Sequence, residues 1–254
     1  MKLLLTNDDG INAEGLISLE KVLSREHEVY VMAPSGEQSA CSNAITVRRP
    51  LTVQAREDDR HYQVDGYPAD CVNIGIQGDV IPEIDIVVSG INHGLNIGDD
   101  IFFSGTVAGA RTAYIFGVSG VAVSLDSYHA PSRHFDDAAE FVLSFIKEYC
   151  RDRDNPFLYN INFPDVPASE YLFVEFTRIG RRKYVDSYLR SDRENGDITM
   201  TLDGTPISIH SQGTDVTVIE KGGVSITPMM VDCTDYSSLD TLTGKSRSWM
   251  KKNG

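Results

Sequence analysis

Up to about Phe163 the hydrophobic positions of the chain follow two alternating rhythms. Short apolar runs, "KLLLT", "EVYVMAP", "IDIVVSG", "GVAVSLD" and "FLYNINFP", have the length and continuity of strands buried on both faces. Pro34 stops the second of them. Between the first two, Leu16, Leu19, Val22 and Leu23 recur at helical spacing through "EGLISLEKVLSRE". Further on, Phe141, Phe145 and Tyr149 share one side of a helix seeded around Asp136. Strands alternating with amphipathic helices predict βαβ units and a mostly parallel sheet.

After Pro164 the texture changes. An alternating "YLFVEFTRI" is followed by the polar, basic "GRRKYVDSYLRSDRENGD" and by hairpin-like runs "ITMTLDG", "TPISIHS" and "GVSITPMMVD". These predict strands projecting from the core as an arm over about residues 170–254. No Pro/Ser-rich linker, repeat or low-complexity tract separates the halves, so one domain with an elaboration is expected over residues 1–254.

Composition narrows the function. Hydrophobic residues at 41% and charged residues at 24% are ordinary globular usage, which argues against disorder and fibrous repeats. A formal net charge of -14 repels nucleic-acid backbones and anionic membrane surfaces, so neither long nucleic acid nor a membrane is an expected partner. A small anionic substrate would need a cation or backbone N–H groups to hold it. No window approaches the roughly 20 apolar residues of a membrane span, and "LLL" runs directly into "TNDDG" without a signal-peptide pattern. Cys41, Cys71, Cys150 and Cys233 form neither a disulfide framework nor a C-x-x-C site. A cytoplasmic location with reduced thiols is expected.

The candidate chemistry lies where strands end. In a continuing strand Asp8 and Asp9 would point to opposite faces, so they converge only if the chain turns, which Gly10 permits. Two carboxylates in reach of each other repel unless a cation neutralises them. At the carboxyl edge of a parallel sheet a hard divalent ion is the economical partner, although either Asp could instead cap the first helix. Asn92 ends the strand "IDIVVSG" on the same edge and offers a neutral oxygen. The loop "APSGEQSACSN" brings a hydroxyl from Ser39 or Ser42 and the Asn43 amide. "SGTVAGAR" feeds a helix, with Ser104 and Thr106 as candidate caps and Gly105 allowing close backbone approach; with Asn92 and Asn96 nearby, a helix start of this kind suits a phosphate. Walker, G-x-G-x-x-G and H-E-x-x-H patterns are absent, and His27, His61, His93, His129, His134 and His210 show no zinc spacing. His93 adjoins Asn92, and Arg178, Arg181, Arg182 and Lys183 form a basic cluster that reads first as a solvated or subunit-contacting stretch, with late contacts to an anionic substrate as the second reading.

Taken together, "TNDDG", "APSGEQSACSN", "YPADCV", "DIVVSGIN", "GDDIFFSGTVAGAR", "AVSL", "NINFP" and "SITPMMVD" resemble the SurE family of 5'-nucleotidases (survival protein E) in order and approximate spacing over nearly the whole chain. The resemblance implies a Rossmann-like, mostly parallel α/β core with helices on both faces and a C-terminal β-rich arm used in forming a homodimer or homotetramer. It implies one Mg²⁺ or Mn²⁺ per subunit on Asp8, Asp9, Ser39 and Asn92, selecting Ser39 over Ser42, with Asn43, Asn96, Ser104, Gly105 and Thr106 around the phosphate. The implied reaction is hydrolysis of nucleoside 5'-monophosphates, with 3'-nucleotides and short polyphosphate as further candidate substrates. Asp8 is the residue expected to orient or deprotonate the attacking water. Two competing readings are a phospho-receiver domain, which would need an acceptor Asp where this chain has Ser89, Gly90 and Asn92, and a nucleotide sensor without catalysis.

Overall fold

In chain order the first half of the molecule comprises β1 (Lys2–Thr6), α1 (Glu14–Leu23), β2 (Glu28–Pro34), β3 (Val53–Ala55), β4 (His61–Val64), α2 (Pro68–Gln77), β5 (Ile86–His93) and α3 (Gly105–Ile115). The second half comprises β6 (Ser119–Leu125), α4 (Phe135–Phe145), β7 (Leu158–Phe163), β8 (Val174–Phe176), β9 (Arg181–Asp192), β10 (Ile198–Ile209), α5 (Asp215–Glu220) and β11 (Val224–Pro228). The computed structural model describes residues 1–56, 58–127, 134–150, 155–193 and 195–243, so His129 and the last part of the expected arm lie outside the described residues.

Nine strands form one sheet in the order β3-β4-β2-β1-β5-β6-β7-β11-β8. Neighbours from β4 through β7 are parallel. β3 closes one edge antiparallel to β4, and β11 enters antiparallel to β7 while carrying β8 parallel beside it. The apolar runs are continuous because helices cover both faces. Leu3 and Leu5 pack with Leu16 and Leu19 of α1 and Val142 of α4, whereas Leu4 between them packs with Val72 of α2 and Ala113 of α3. Strand order reverses between β1 and β5, and a crevice for ligands opens at the carboxyl ends of strands at such a switch point. Among the described residues no helix is long and apolar enough to cross a membrane.

Three features differ from the sequence reading. The runs "ITMTLDG" and "TPISIHS" are one strand, β10, and Gly204 sits in register opposite Asp186 without turning the chain. Its partner β9 is the basic stretch itself, whose charged residues hid the strand; both strands are largely exposed, so no buried face fixed their bounds in the sequence. The projecting part is therefore the β9–β10 hairpin, narrower than residues 170–254, because β8, α5 and β11 return to the main body. The β3–β4 hairpin and α2 were not anticipated either, although Pro68 at the first helical turn and Asp70 two residues on are start signals for α2.

Phe163, at the end of β7, is fully buried and packs edge-on against Phe141 with ring centroids 5.2 Å apart. Replacing it with Ala is expected to destabilise the fold by about 3–5 kcal/mol, read as a lower urea midpoint at unchanged denaturant slope.

Candidate active site

β1 ends at Thr6, and the chain must turn before α1 begins at Glu14. Asn7, fully buried, makes that turn: its Nδ2 donates to Gly10 O at 2.9 Å and its Oδ1 accepts from Gly10 N–H at 3.2 Å. Gly10 takes φ of +101°, which other residues reach only with strain. The turn leaves Asp8 and Asp9 at the sheet's carboxyl edge, beside the switch point.

Three further segments close around them. The loop after β2 is fastened by Gln38 N–H donating to Asp8 O at 2.7 Å and Ile11 N–H to Pro34 O at 2.9 Å. At the end of β5 the register against β6 shifts between Ser89 and Asn92, an irregularity that re-aims the strand tip. There His93 N–H donates to Asp9 Oδ2 at 3.3 Å, and Asn92 gives its Nδ2 to Gly94 O at 2.8 Å, which leaves the amide oxygen as the end able to ligate. The start of α3 arrives from the other side. Ser104 caps it, its Oγ accepting from Val107 N–H at 3.0 Å, and the Thr106 hydroxyl donates to Asp8 Oδ1. A Cβ on Gly105 would stand 2.8 Å from Asp8 Cβ, Asp8 Oδ2 and Cys41 Sγ, so only glycine lets α3 approach this closely.

The electrostatics of the pair are unfavourable as it stands. Asp8 is 5% exposed, and burial pushes its carboxyl up to about 6, with the Asp9 charge adding to the effect and hydrogen bonds from Thr106 opposing it. Burial likewise pushes Asp9 up to about 6, against the His93 N–H and with help from the Glu37 charge. Neither carboxylate is paired with a basic side chain among the described residues. Also among the described residues, no group of three or more His, Cys, Asp or Glu gathers to hold a metal. The available donors are two carboxylates and neutral oxygens, a set suited to a hard cation. Cys41 is no nucleophile here, since burial and the Asp8 charge push its thiol up to about 11.

The other expected residues are placed as follows. Ser39 is exposed on the rim and donates to Glu37 Oε1 at 2.7 Å, whereas Ser42 fastens the loop to Phe102 O at 2.7 Å. Asn43 lies along α3, its Nδ2 on Thr112 Oγ1 at 3.3 Å and its Oδ1 buried without a partner. Asn96 is buried in a polar knot: its Nδ2 donates to Ser124 Oγ at 2.8 Å, and its carbonyl accepts from Asn160 Nδ2 at 2.8 Å and Asn162 Nδ2 at 3.1 Å. His93 meets the site through its backbone, while its ring lies edge-on to Phe135, centroids 4.7 Å apart, with Nδ1 3.2 Å from Ser127 Oγ. The basic cluster is turned elsewhere: Arg178 to Ser211, Arg181 to Asp99 and Arg182 to Asp100, with Lys183 exposed. Sequence reasoning missed Asn7, Glu37 and Cys41. An Asn three residues before a glycine is a turn signal that could have exposed Asn7; nothing in spacing marks the other two.

The chain was compared with known proteins. The family model for Survival protein SurE matches residues 3–186. The chain is 41% identical over 245 residues to the 5'-nucleotidase SurE of Leptospira interrogans serogroup Icterohaemorrhagiae serovar copenhageni (strain Fiocruz L1-130), covering 96% of this chain and 97% of the relative. It is 38% identical over 257 residues to the 5'/3'-nucleotidase SurE of Proteus mirabilis (strain HI4320), covering 99% and 97%. The crystal structure of the SurE protein from Aquifex aeolicus superposes with a TM-score of 0.84 at 29% identity, covering 97% of this chain and 100% of that one.

The raised carboxyls have a consequence for stability. Folded values near 6 against an ordinary 3.8 mean that between these pH values the native state binds more protons than the unfolded state. In chelator-treated protein this contribution is fully present below about pH 4 and is lost as pH rises through about 6. Thermal melts of the chelated protein should therefore show a higher midpoint at pH 5.5 than at pH 7.5 relative to Asp8→Asn, whose profile across that window is flatter; parallel profiles would contradict the assignment.

Proposed function

The chain belongs to the SurE family, and from that premise we propose that it is a cation-dependent phosphatase that hydrolyses nucleoside 5'-monophosphates to nucleoside and phosphate. The observation that carries the reading is the pair of buried Asp8 and half-buried Asp9, without a basic partner among the described residues and with Asp8 set directly against the start of α3. Asp8, Asp9, Ser39 and Asn92 would hold one Mg²⁺ or Mn²⁺ per subunit. When bound, such an ion supplies positive charge that polarises a phosphoryl oxygen and makes water a better nucleophile at neutral pH.

The chain's own groups supply the remaining chemistry. The first-turn N–H groups of α3 at Gly105 and Thr106 lie at the positive end of the helix and hold phosphoryl oxygens, with the Asn43 amide beside them and Asn96 framing the segment that follows β5. In phosphoryl transfer most of the catalytic effect comes from this kind of positioning and charge stabilisation. Asp8 orients the attacking water and accepts its proton, its carboxylate held in place by the Thr106 hydroxyl. The same subsite, which reads a phosphate rather than a base, extends the proposal to 3'-nucleotides and short polyphosphate. The enzyme acts on these small molecules in the cytoplasm.

The β9–β10 hairpin is proposed as an assembly arm for a homodimer or homotetramer. Val185, Tyr188 and Leu189 on one strand and Ile198, Met200 and Leu202 on the other are all exposed, an apolar surface that a second copy would cover.

Phosphate release from a panel of nucleoside monophosphates, assayed with and without chelator, tests the reaction. Chelation is expected to abolish turnover and added Mg²⁺ or Mn²⁺ to restore it, while Asp8→Asn loses about a thousandfold or more in kcat with the fold intact. Turnover indifferent to chelator overturns the cation, and near-normal turnover by Asp8→Asn overturns the base. For the arm, light scattering should show Leu189→Glu combined with Leu202→Glu reducing the protein to a smaller species; an unchanged mass overturns that role.

A further inference from the structure

The short 3₁₀ helix Gly98–Phe102 carries two aspartates that the proposed reaction does not use, and both are tied to the root of the hairpin. Arg181 Nε and Arg182 N–H each donate to Asp99 Oδ2 at 3.0 Å. Arg182 Nη1 and Tyr184 Oη each donate to Asp100 Oδ2 at 2.9 Å. A third carboxylate completes the junction. Asp215, 0% exposed, accepts from Gly98 N–H at 2.9 Å, Gly180 N–H at 2.7 Å and Val216 N–H at 2.8 Å, joining the 3₁₀ helix, the residue before β9 and the start of α5.

The same 3₁₀ helix leads directly into the phosphate loop. Asp100 O accepts from Phe103 N–H at 3.0 Å and from Ser104 N–H at 3.1 Å. Asp100 thus holds the hairpin by its side chain and the cap residue of α3 by its backbone. From the opposite side Arg111 Nη2 donates to Ile101 O at 2.9 Å, and Ser42 donates through its N–H to Phe103 O at 2.8 Å. Stability alone is a poor account of the Asp100–Arg182 pair. Its side chains are only 15% and 19% exposed, and a pair withdrawn from water this far gains little net stability over apolar packing. Its geometric effect is to fix where the 3₁₀ helix ends.

We propose that Asp100, gripped by Arg182 and Tyr184 at the root of the hairpin, is a positioning residue that sets the Ser104–Thr106 loop against Asp8, so that phosphate binding depends on how the hairpin is seated. The inference rests on the reading of the α3 start as the phosphate subsite. The Arg182 backbone N–H bonds Asp99 and is kept in any side-chain variant, whereas its guanidinium bonds Asp100, so replacing the side chain removes the Asp100 contact.

The test compares the wild-type chain with Arg182→Met, Arg182→Lys and Tyr184→Phe. Five quantities are measured: KM and kcat for a nucleoside 5'-monophosphate with Mg²⁺, the inhibition constant of inorganic phosphate, the melting midpoint and the mass by light scattering. Arg182→Met is expected to raise KM and the phosphate inhibition constant about tenfold and to lower kcat as well, with mass unchanged. Arg182→Lys should recover most of the loss. Tyr184→Phe, which removes one hydroxyl from an exposed ring, gives a smaller shift in the same direction and keeps the test open if Arg182→Met fails to fold. Unchanged KM and phosphate inhibition overturn the proposal, as does a loss that tracks dissociation or melting. A wild-type chain that releases no phosphate overturns the phosphatase reading instead.

Discussion

Two adjacent carboxylates, one buried and one half-buried, with no basic side chain among the described residues to balance them, are the constraint around which the rest of this molecule is arranged. Such an arrangement is unfavourable in isolation, because burial and mutual repulsion both disfavour the charged forms. The surrounding structure enforces it at several points. Asn7 and Gly10 fold the chain back after β1, the β2 loop bonds to the Asp8 carbonyl, and α3 approaches so closely that residue 105 has no room for a side chain. Carboxylates whose ionisation is disfavoured this much, held so firmly at a strand end, mark a candidate functional site.

The neighbouring strands are held by polar rather than apolar means at the same edge. Asn160 and Asn162, both fully buried on β7, reach across to the Asn96 carbonyl, and Asn96 N–H returns a bond to Asn162 Oδ1 at 2.9 Å. This network ties the chain after β5 to β7, with Asn160 Oδ1 its one buried atom left without a partner among the described residues. It also explains "NINFP" without assigning either of its asparagines to the substrate. Together with the Asp100 and Asp215 junction, it frames the segment between β5 and α3 on both sides.

What the sequence made legible, and what it hid, divides along physical lines. β1, β2, β5, β6 and β7 were readable because burial on both faces forces unbroken apolar runs, and α1 because one face only is buried. The acidic pair, Asn92 and the Ser104–Thr106 loop were readable because strand ends and helix starts lie on one edge of a parallel sheet. The bond from Thr106 to Asp8 was not, since it joins residues 98 positions apart and the threonine reads equally well as a cap. Of the basic cluster, Arg178, Arg181 and Lys183 are exposed as expected of a solvated stretch, while the bonds of Arg181 to Asp99 and of Arg182 to Asp100 join residues 82 positions apart and could not be read in one dimension. β10 was legible as strand from its Ile-Thr-Met-Thr-Leu alternation but was divided in two at Gly204, whereas β9 was hidden under a run of charged residues.

The path of the chain around that ribbon has a wider meaning. It leaves the body just after Arg178 and returns at Thr214, and these two residues lie side by side, bridged in parallel, with Asp215 N–H donating to Arg178 O at 3.1 Å. The body is consequently closed across the base of the protrusion, as a ring is closed by its clasp. The outer part of the ribbon, beyond the Tyr184–Pro206 pair, is a cassette that can differ in length without disturbing the main sheet, because β8 and β11 pair with each other directly and the bonds to Asp99 and Asp100 come from its root. Change confined to that outer length leaves the clasp, the root contacts and the start of α3 as they were.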